Sequence, residues 1–267
     1  MERDRLLASL RGMAGAQRVI TALDVPDAEA AVSLAAGLGP EGRLVKVGLE
    51  LFSAAGPEVV RRLQALGKGI FLDLKYHDIP NTVAAAARVA ARLGVAMCTV
   101  HAACGRRALA AAAEALRTAP AGPGGPRPAL LAVTVLTSLG QEELDEVAPA
   151  PEGLEARIVR LARVAWQSGC DGIVCSARDL GRLRSDLGPE PLVVTPGLRP
   201  AAAATDDQRR TAPPADAVAA GADYLVIGRP ITRAGDPAAA LAAIGRELAA
   251  NGPIPPPVRG PKETRRP

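Results

Sequence analysis

Aromatic residues are almost missing: two phenylalanines, two tyrosines and one tryptophan make up 2% of the 267 residues. That leaves no row of rings on which successive nucleic-acid bases could stack. The 32 basic residues are interleaved with 28 acidic ones, giving a net charge of only +4. They form no block of one sign, so a nucleic-acid arm is not expected either. No uncharged apolar run approaches the ~18 residues of a membrane span. The first residues, MERDRLLASLRG, mix charge into their apolar positions and lack a hydrophobic signal core. A cytoplasmic protein without a membrane partner is therefore expected. The four cysteines, Cys98, Cys104, Cys170 and Cys175, contain no C-x-x-C pair, and neither His77 nor His101 stands at metal-ligand spacing from them. They are read as small hydrophobes, with no metal site.

Lysine is scarce as well. Lys46, Lys68, Lys75 and Lys262 are the only four; every other basic residue is arginine. With abundant alanine, glycine and proline, this has the look of a GC-rich coding bias. Each lysine is then informative. Arginine suits fixed ion pairs better, and a position that needs lysine needs a proton donor or a compact point charge.

What is present is ordinary for a soluble globular chain: 48% hydrophobic and 22% charged. A disordered chain and a disulfide-stapled miniature are both excluded. Eight short apolar runs alternate with Ala/Leu/Arg-rich helical stretches. The runs are Val19–Asp24, Leu44–Leu49, Gly69–Leu74, Val95–His101, Ala129–Thr134, Gly172–Cys175, Leu192–Thr195 and Tyr224–Ile227. Continuous apolar runs suit parallel strands buried on both faces. The helical candidates are Ala28–Gly37, Ala54–Leu66, Asn81–Leu93, Arg106–Arg117 and Leu154–Ser168. Gly67, Gly94, Gly169 and Gly221 stand where helices should stop.

This is the arithmetic of an α/β fold, a single-domain (β/α)8 TIM barrel. A doubly wound open sheet is the alternative, weakened because no G-x-G-x-x-G follows the first strand. The expected division is an N-terminal extension or helix over 1–17, the barrel over 18–250, and a Pro-rich, disordered tail over 251–267. Ala121–Pro128 reads as a plain loop. Pro196–Pro214 is longer than a usual β/α loop, which points to function.

In such a barrel the C-terminal strand ends build the site. Asp24 ends the first run, Lys46 lies in the second, and Asp73 and Lys75 close the third, with Asp78 just beyond. Asp73 and Lys75 are two apart and share a strand face, with Leu74 turned into the helix layer. Alternating charge in a partly buried mouth keeps all four groups of a Lys46-Asp73-Lys75-Asp78 array ionised. A structural salt-bridge network is the competing reading. Gly197, Arg199, Gly228 and Arg229 follow the seventh and eighth runs, where this fold grips phosphate. No role is assigned to His77, and His101 is open between substrate contact and packing.

The run Phe71-Leu-Asp-Leu-Lys-Tyr-His-Asp-Ile-Pro-Asn-Thr82 resembles the D-x-K-x-x-D-I-P-x-T signature of the orotidine 5'-phosphate decarboxylase family. The flanking pieces occur in order: Ala22-Leu-Asp24, Val45-Lys-Val-Gly48, Leu136-Thr-Ser138, Thr195-Pro-Gly-Leu-Arg199, Asp207-Gln208 and Ile227-Gly-Arg-Pro230. The resemblance spans about residues 18 to 240, with no departure at the motif positions.

It implies a cofactor-free carboxy-lyase that turns orotidine 5'-phosphate (OMP) into UMP and CO2, the last step of de novo pyrimidine synthesis. It implies that Asp73 meets the substrate carboxylate, and that Lys75 stabilises and then protonates C6. Lys46 would hold Asp73 and contact the ribose, and Asp24 would bind a ribose hydroxyl. Thr137 and Ser138 would touch the pyrimidine. Pro196 would belong to the substrate-binding set, and Arg199, Gln208, Gly228 and Arg229 would serve the phosphate end, with Gln208 on a closing lid. Asp78, Ile79 and Thr82 would be supplied across a homodimer interface. The remaining alternatives are a Mg-dependent sugar-phosphate decarboxylase or aldolase on the same barrel, and a nucleotide-binding protein without chemistry.

Overall fold

A computed structural model describes residues 2–11, 13–120, 122, 125–198 and 212–250. Eight parallel strands close into a barrel in sequence order. They are β1 (Val19–Ala22), β2 (Leu44–Gly48), β3 (Gly69–Tyr76), β4 (Met97–His101), β5 (Ala129–Val133), β6 (Gly172–Val174), β7 (Leu192–Thr195) and β8 (Tyr224–Ile227). β1 pairs with both β2 and β8, which leaves no sheet edge. The (β/α)8 barrel expected from the alternating runs is the fold observed.

Period 2 divides the side chains. Ile20, Phe71, Met97, Leu131, Val194 and Val226 point inward and fill the barrel. Val19, Leu72, Cys98, Leu130, Val193 and Leu225 point outward, into the layer shared with the helices. Both sets are buried, which is why the strands read as unbroken apolar runs. Cys98, Cys170 and Cys175 are buried and Cys104 is half-buried, all as free thiols.

The helices start and stop where local chemistry directs. Asp27 caps Ala28–Gly37 by accepting the Ala30 N–H at 2.8 Å. Gly94 ends the helix Pro80–Arg92 with φ of 68°, a conformation that costs a side chain energy. The single helix expected over Ala54–Leu66 is instead two, Leu49–Ala55 and Glu58–Ala65. Gly56, at φ of 62°, and Pro57 interrupt it.

The N-terminal helix Glu2–Arg11 packs beneath the barrel. Leu6 and Leu7 join the barrel-interior cluster, and the Tyr224 hydroxyl donates to the Leu10 carbonyl at 2.7 Å. Two carboxylates tie the strands together at this end. Asp171 is fully buried; it accepts the Leu130 N–H at 2.9 Å and both Arg127 nitrogens at 2.7 and 2.9 Å. Asp223 does the same for the Val193 N–H and Arg184. Asp171→Ala takes the carboxylate from the half-sequestered Arg127 and the buried N–H together. It should destabilise the fold by about 3–5 kcal/mol, read as a lower urea midpoint at unchanged slope.

Candidate active site

The site begins with an irregularity in β3. Leu72 pairs with Cys98, but the next pair on β4 is Tyr76 with Val100. Four steps on β3 match two on β4, so the chain bulges at Asp73–Lys75. Lys75 has φ of 50°, the only positive φ outside glycine among the described residues. An L-residue there is disfavoured by about 1–2 kcal/mol. The bulge turns Asp73 and Lys75 together into the barrel mouth, while Leu74 and Tyr76 pack on the outer core. Burial raises the Tyr76 phenol well above its ordinary range.

Two ion pairs stand in this mouth. Lys75 Nζ donates to Asp73 Oδ2 at 2.8 Å, with the side chains 31% and 11% exposed. Lys46 Nζ donates to Asp24 Oδ1 at 2.8 Å, with the side chains 12% and 62% exposed. The expected Lys46–Asp73 link is thus replaced by Lys46–Asp24. In the β2–β3 register Lys46 stands opposite Phe71 and Gly48 opposite Asp73. A Cβ on Gly48 would come within 2.8 Å of Lys46 Nζ, so a side chain there would displace the ammonium.

These four charges line a cavity of about 440 Å³ with Thr137, Pro196, Gly197, Gly228 and Arg229. That volume suits a small-molecule site. Its floor is apolar, formed by Ala22, Phe71, Val174 and Val226. Gly197 carries φ of 79°, so the backbone there takes a turn closed to most residues. A second cavity of 740 Å³ lies at the opposite end, among Leu10, Arg43, Lys68 and Tyr224, and holds none of the candidate residues.

Four candidates are not drawn into the cavity within this chain. Asp78, Ile79, Thr82 and Ser138 are exposed and do not line it. Asp78 accepts the Ile79 N–H at 2.6 Å and has no lysine partner among the described residues. The fourth member of the expected array therefore stands apart from the other three. Arg199 and Gln208 lie outside the described residues, as do Asp207, most of the long Pro196–Pro214 segment and the tail.

Two features escaped the sequence reading. Thr99 is fully buried inside the barrel; its hydroxyl donates to Asp73 Oδ1 at 3.0 Å and accepts the Lys75 N–H at 2.8 Å. Its signal was available: a polar residue in the otherwise apolar run preceding His101. The second is a stack of His77 on His101, with ring centroids 5.1 Å apart and planes 15° from parallel.

Burial, then His77 and Lys75, holds the His101 imidazole below its ordinary value. The folded chain thus favours neutral His101, whereas the unfolded chain takes up the proton at about pH 6.5. Stability from this group is present above that pH and is lost as the pH falls through it. Lowering the pH from about 7.5 to about 5.5 should shift the urea midpoint of the wild type more than that of His101→Gln.

With this geometry in view, a sequence model described as "Orotidine 5'-phosphate decarboxylase / HUMPS family" matches residues 17–244. The chain belongs to this family. An orotidine 5'-phosphate decarboxylase of Halorhodospira halophila is 54% identical over 238 residues, covering 89% of this chain and 98% of the relative. One from Moorella thermoacetica is 50% identical over 231 residues, covering 86% and 92%. The crystal structure of the enzyme from Lactobacillus acidophilus superposes with a TM-score of 0.77 at 40% identity, covering 86% of this chain and 98% of that one. The helix Glu2–Arg11 lies before the matched region.

Proposed function

We propose that this chain is an orotidine 5'-phosphate decarboxylase. It forms UMP and CO2 as the last step of de novo pyrimidine synthesis, without metal or organic cofactor, in the cytoplasm. The observation that carries the reading is the bulge that aims Asp73 and Lys75 into one cavity beside Lys46 and Asp24. The catalytic unit is residues 18–250.

Loss of CO2 from C6 of the pyrimidine leaves an electron pair with no conjugated sink. A preorganised ammonium in a partly dry mouth is then the strongest available stabiliser. In the proposed reaction the substrate carboxylate stands against Asp73, and the C6–carboxylate bond breaks with its electron pair left on C6. Lys75 gives C6 a proton and is recharged from solvent. Lys46 and Asp24 hold the ribose, and Thr137, which lines the cavity, meets the base. Pro196, Gly228 and Arg229, with Arg199 and Gln208, take the phosphate end. That end is remote from the reacting carbon, so its binding energy can hold the carboxylate beside Asp73.

The working form is a homodimer in which Asp78, Ile79 and Thr82 complete the partner's site. Support comes from apolar side chains left in the open just past two strand ends, Leu49 after β2 and Ile79, 66% exposed, after β3.

One ultraviolet assay tests the reaction. EDTA-treated protein with OMP should convert it to UMP at a steady rate. No turnover with EDTA, together with Mg-dependent activity on a sugar-phosphate acid, would overturn the reading. Tight UMP binding without turnover would instead mark a binding protein.

A further inference from the structure

A bulge that turns a charged pair inward needs something to hold it in one geometry. Thr99 stands opposite the bulge on β4 and is completely buried. A hydroxyl has one proton to give. That proton goes to Asp73 Oδ1 at 3.0 Å, while the oxygen accepts the Lys75 N–H at 2.8 Å. The second carboxylate oxygen, Oδ2, is left for Lys75 Nζ at 2.8 Å. One hydroxyl therefore fixes both the rotation of the Asp73 carboxylate and the backbone from which Lys75 departs. No regular strand pairing could do this, because the bulge has removed the ladder partner of that N–H.

We propose that Thr99 is a positioning residue that sets the mutual geometry of Asp73 and Lys75 before substrate arrives. It does not line the cavity, so it acts through those two groups and not on the ligand. Its kinetic consequence rests on the decarboxylase reading; its structural consequence does not. Fixed dipoles and charges are worth most when they need no rearrangement during the reaction. Loosening the pair should thus fall on kcat. The nucleotide grip is built from other strands and should be spared.

Thr99→Val keeps the branched shape and deletes only the hydroxyl. It should lower kcat about 10–100-fold while the Kd for UMP stays within about threefold. Thr99→Ala should show the same loss should the added methyl fit poorly. Thr99→Ser keeps the hydroxyl and should retain kcat within about fivefold. A second arm needs no substrate. Reductive 13C-methylation labels the lysines, and with only four in the chain the Lys75 resonance can be assigned by its loss in Lys75→Ala. That resonance should stand apart in the wild type and Thr99→Ser, and move toward the position of free methylated lysine in Thr99→Val. Wild-type kcat in Thr99→Val, equal losses in Val and Ser, or an unmoved Lys75 resonance would each overturn the proposal. Expected resonance shifts in a wild type that does not turn over OMP would sink the decarboxylase reading and leave the positioning role standing.

Discussion

Lys75→Ala should reduce OMP turnover by roughly 10⁴-fold or more, while UMP binding weakens less than about tenfold. The substitution removes two contributions at once. On the proposed reaction, one is the proton that C6 must receive. The other is the positive charge facing the electron pair left by CO2. Within the chain, Lys75 Nζ is bound to Asp73, and a water filling the vacated space would carry neither the positive charge nor a comparably acidic proton. The carboxylate left behind would also face the substrate carboxylate without its counter-charge. Lys75→Arg should not rescue. A guanidinium holds its proton too firmly to give it to carbon, and its planar fork is larger than an ammonium. On the proposed reading the phosphate is held at Gly228 and Arg229, which follow β8 at the start of the short helix Arg229–Thr232, and neither change touches them. Absorbance assays give kcat, and calorimetric titration with UMP gives the affinity. A Lys75→Ala protein that keeps even about 1% of wild-type turnover would remove Lys75 from the proton-donor role.

Much of this fold can be read before any coordinates. The eight runs were legible because parallel barrel strands are buried on both faces. They therefore stay largely apolar, with their charged residues gathered toward the C-terminal half. Those exceptions, Asp24, Lys46, Asp73 and Lys75, were legible for the same reason, and they meet in one cavity. What was not legible depends on register between strands. The β3 bulge is a relation between Leu72–Tyr76 and Cys98–Val100, some two dozen residues apart, and no local pattern encodes it. Thr99 gains its role through that same register, which the sequence around it does not show. The resemblance implied that Lys46 holds Asp73; within this chain Lys46 Nζ bonds Asp24 instead, a pairing that no sequence spacing encodes. The break at Gly56–Pro57 was legible from the residues alone, and the periodicity hid it.

Asp78 leads to the second large effect. It lies three residues past Lys75, and among the described residues its hydrogen bond goes to its own loop, at the Ile79 N–H. Lys75 is already engaged by Asp73. This exposed carboxylate completes the neighbouring subunit's site on the homodimer reading. On the homodimer reading, Asp78→Ala and Lys75→Ala are each inactive alone, because every site in either homodimer lacks one charge. Mixing them in equal amounts changes this. Half of the dimers become hybrids, and each hybrid holds one site lacking both groups and one site lacking neither. About a quarter of all sites should then be native, and activity should rise to about 25% of wild type. The rise should follow the rate of subunit exchange, measured on the same mixture by native mass spectrometry with one variant mass-tagged. The double variant mixed with either single variant should give no recovery, because every site then lacks at least one of the two groups. Complete exchange without any rise in activity would place Asp78 outside the partner's site, and the exposed loop from Asp78 to Thr82 would then need another role.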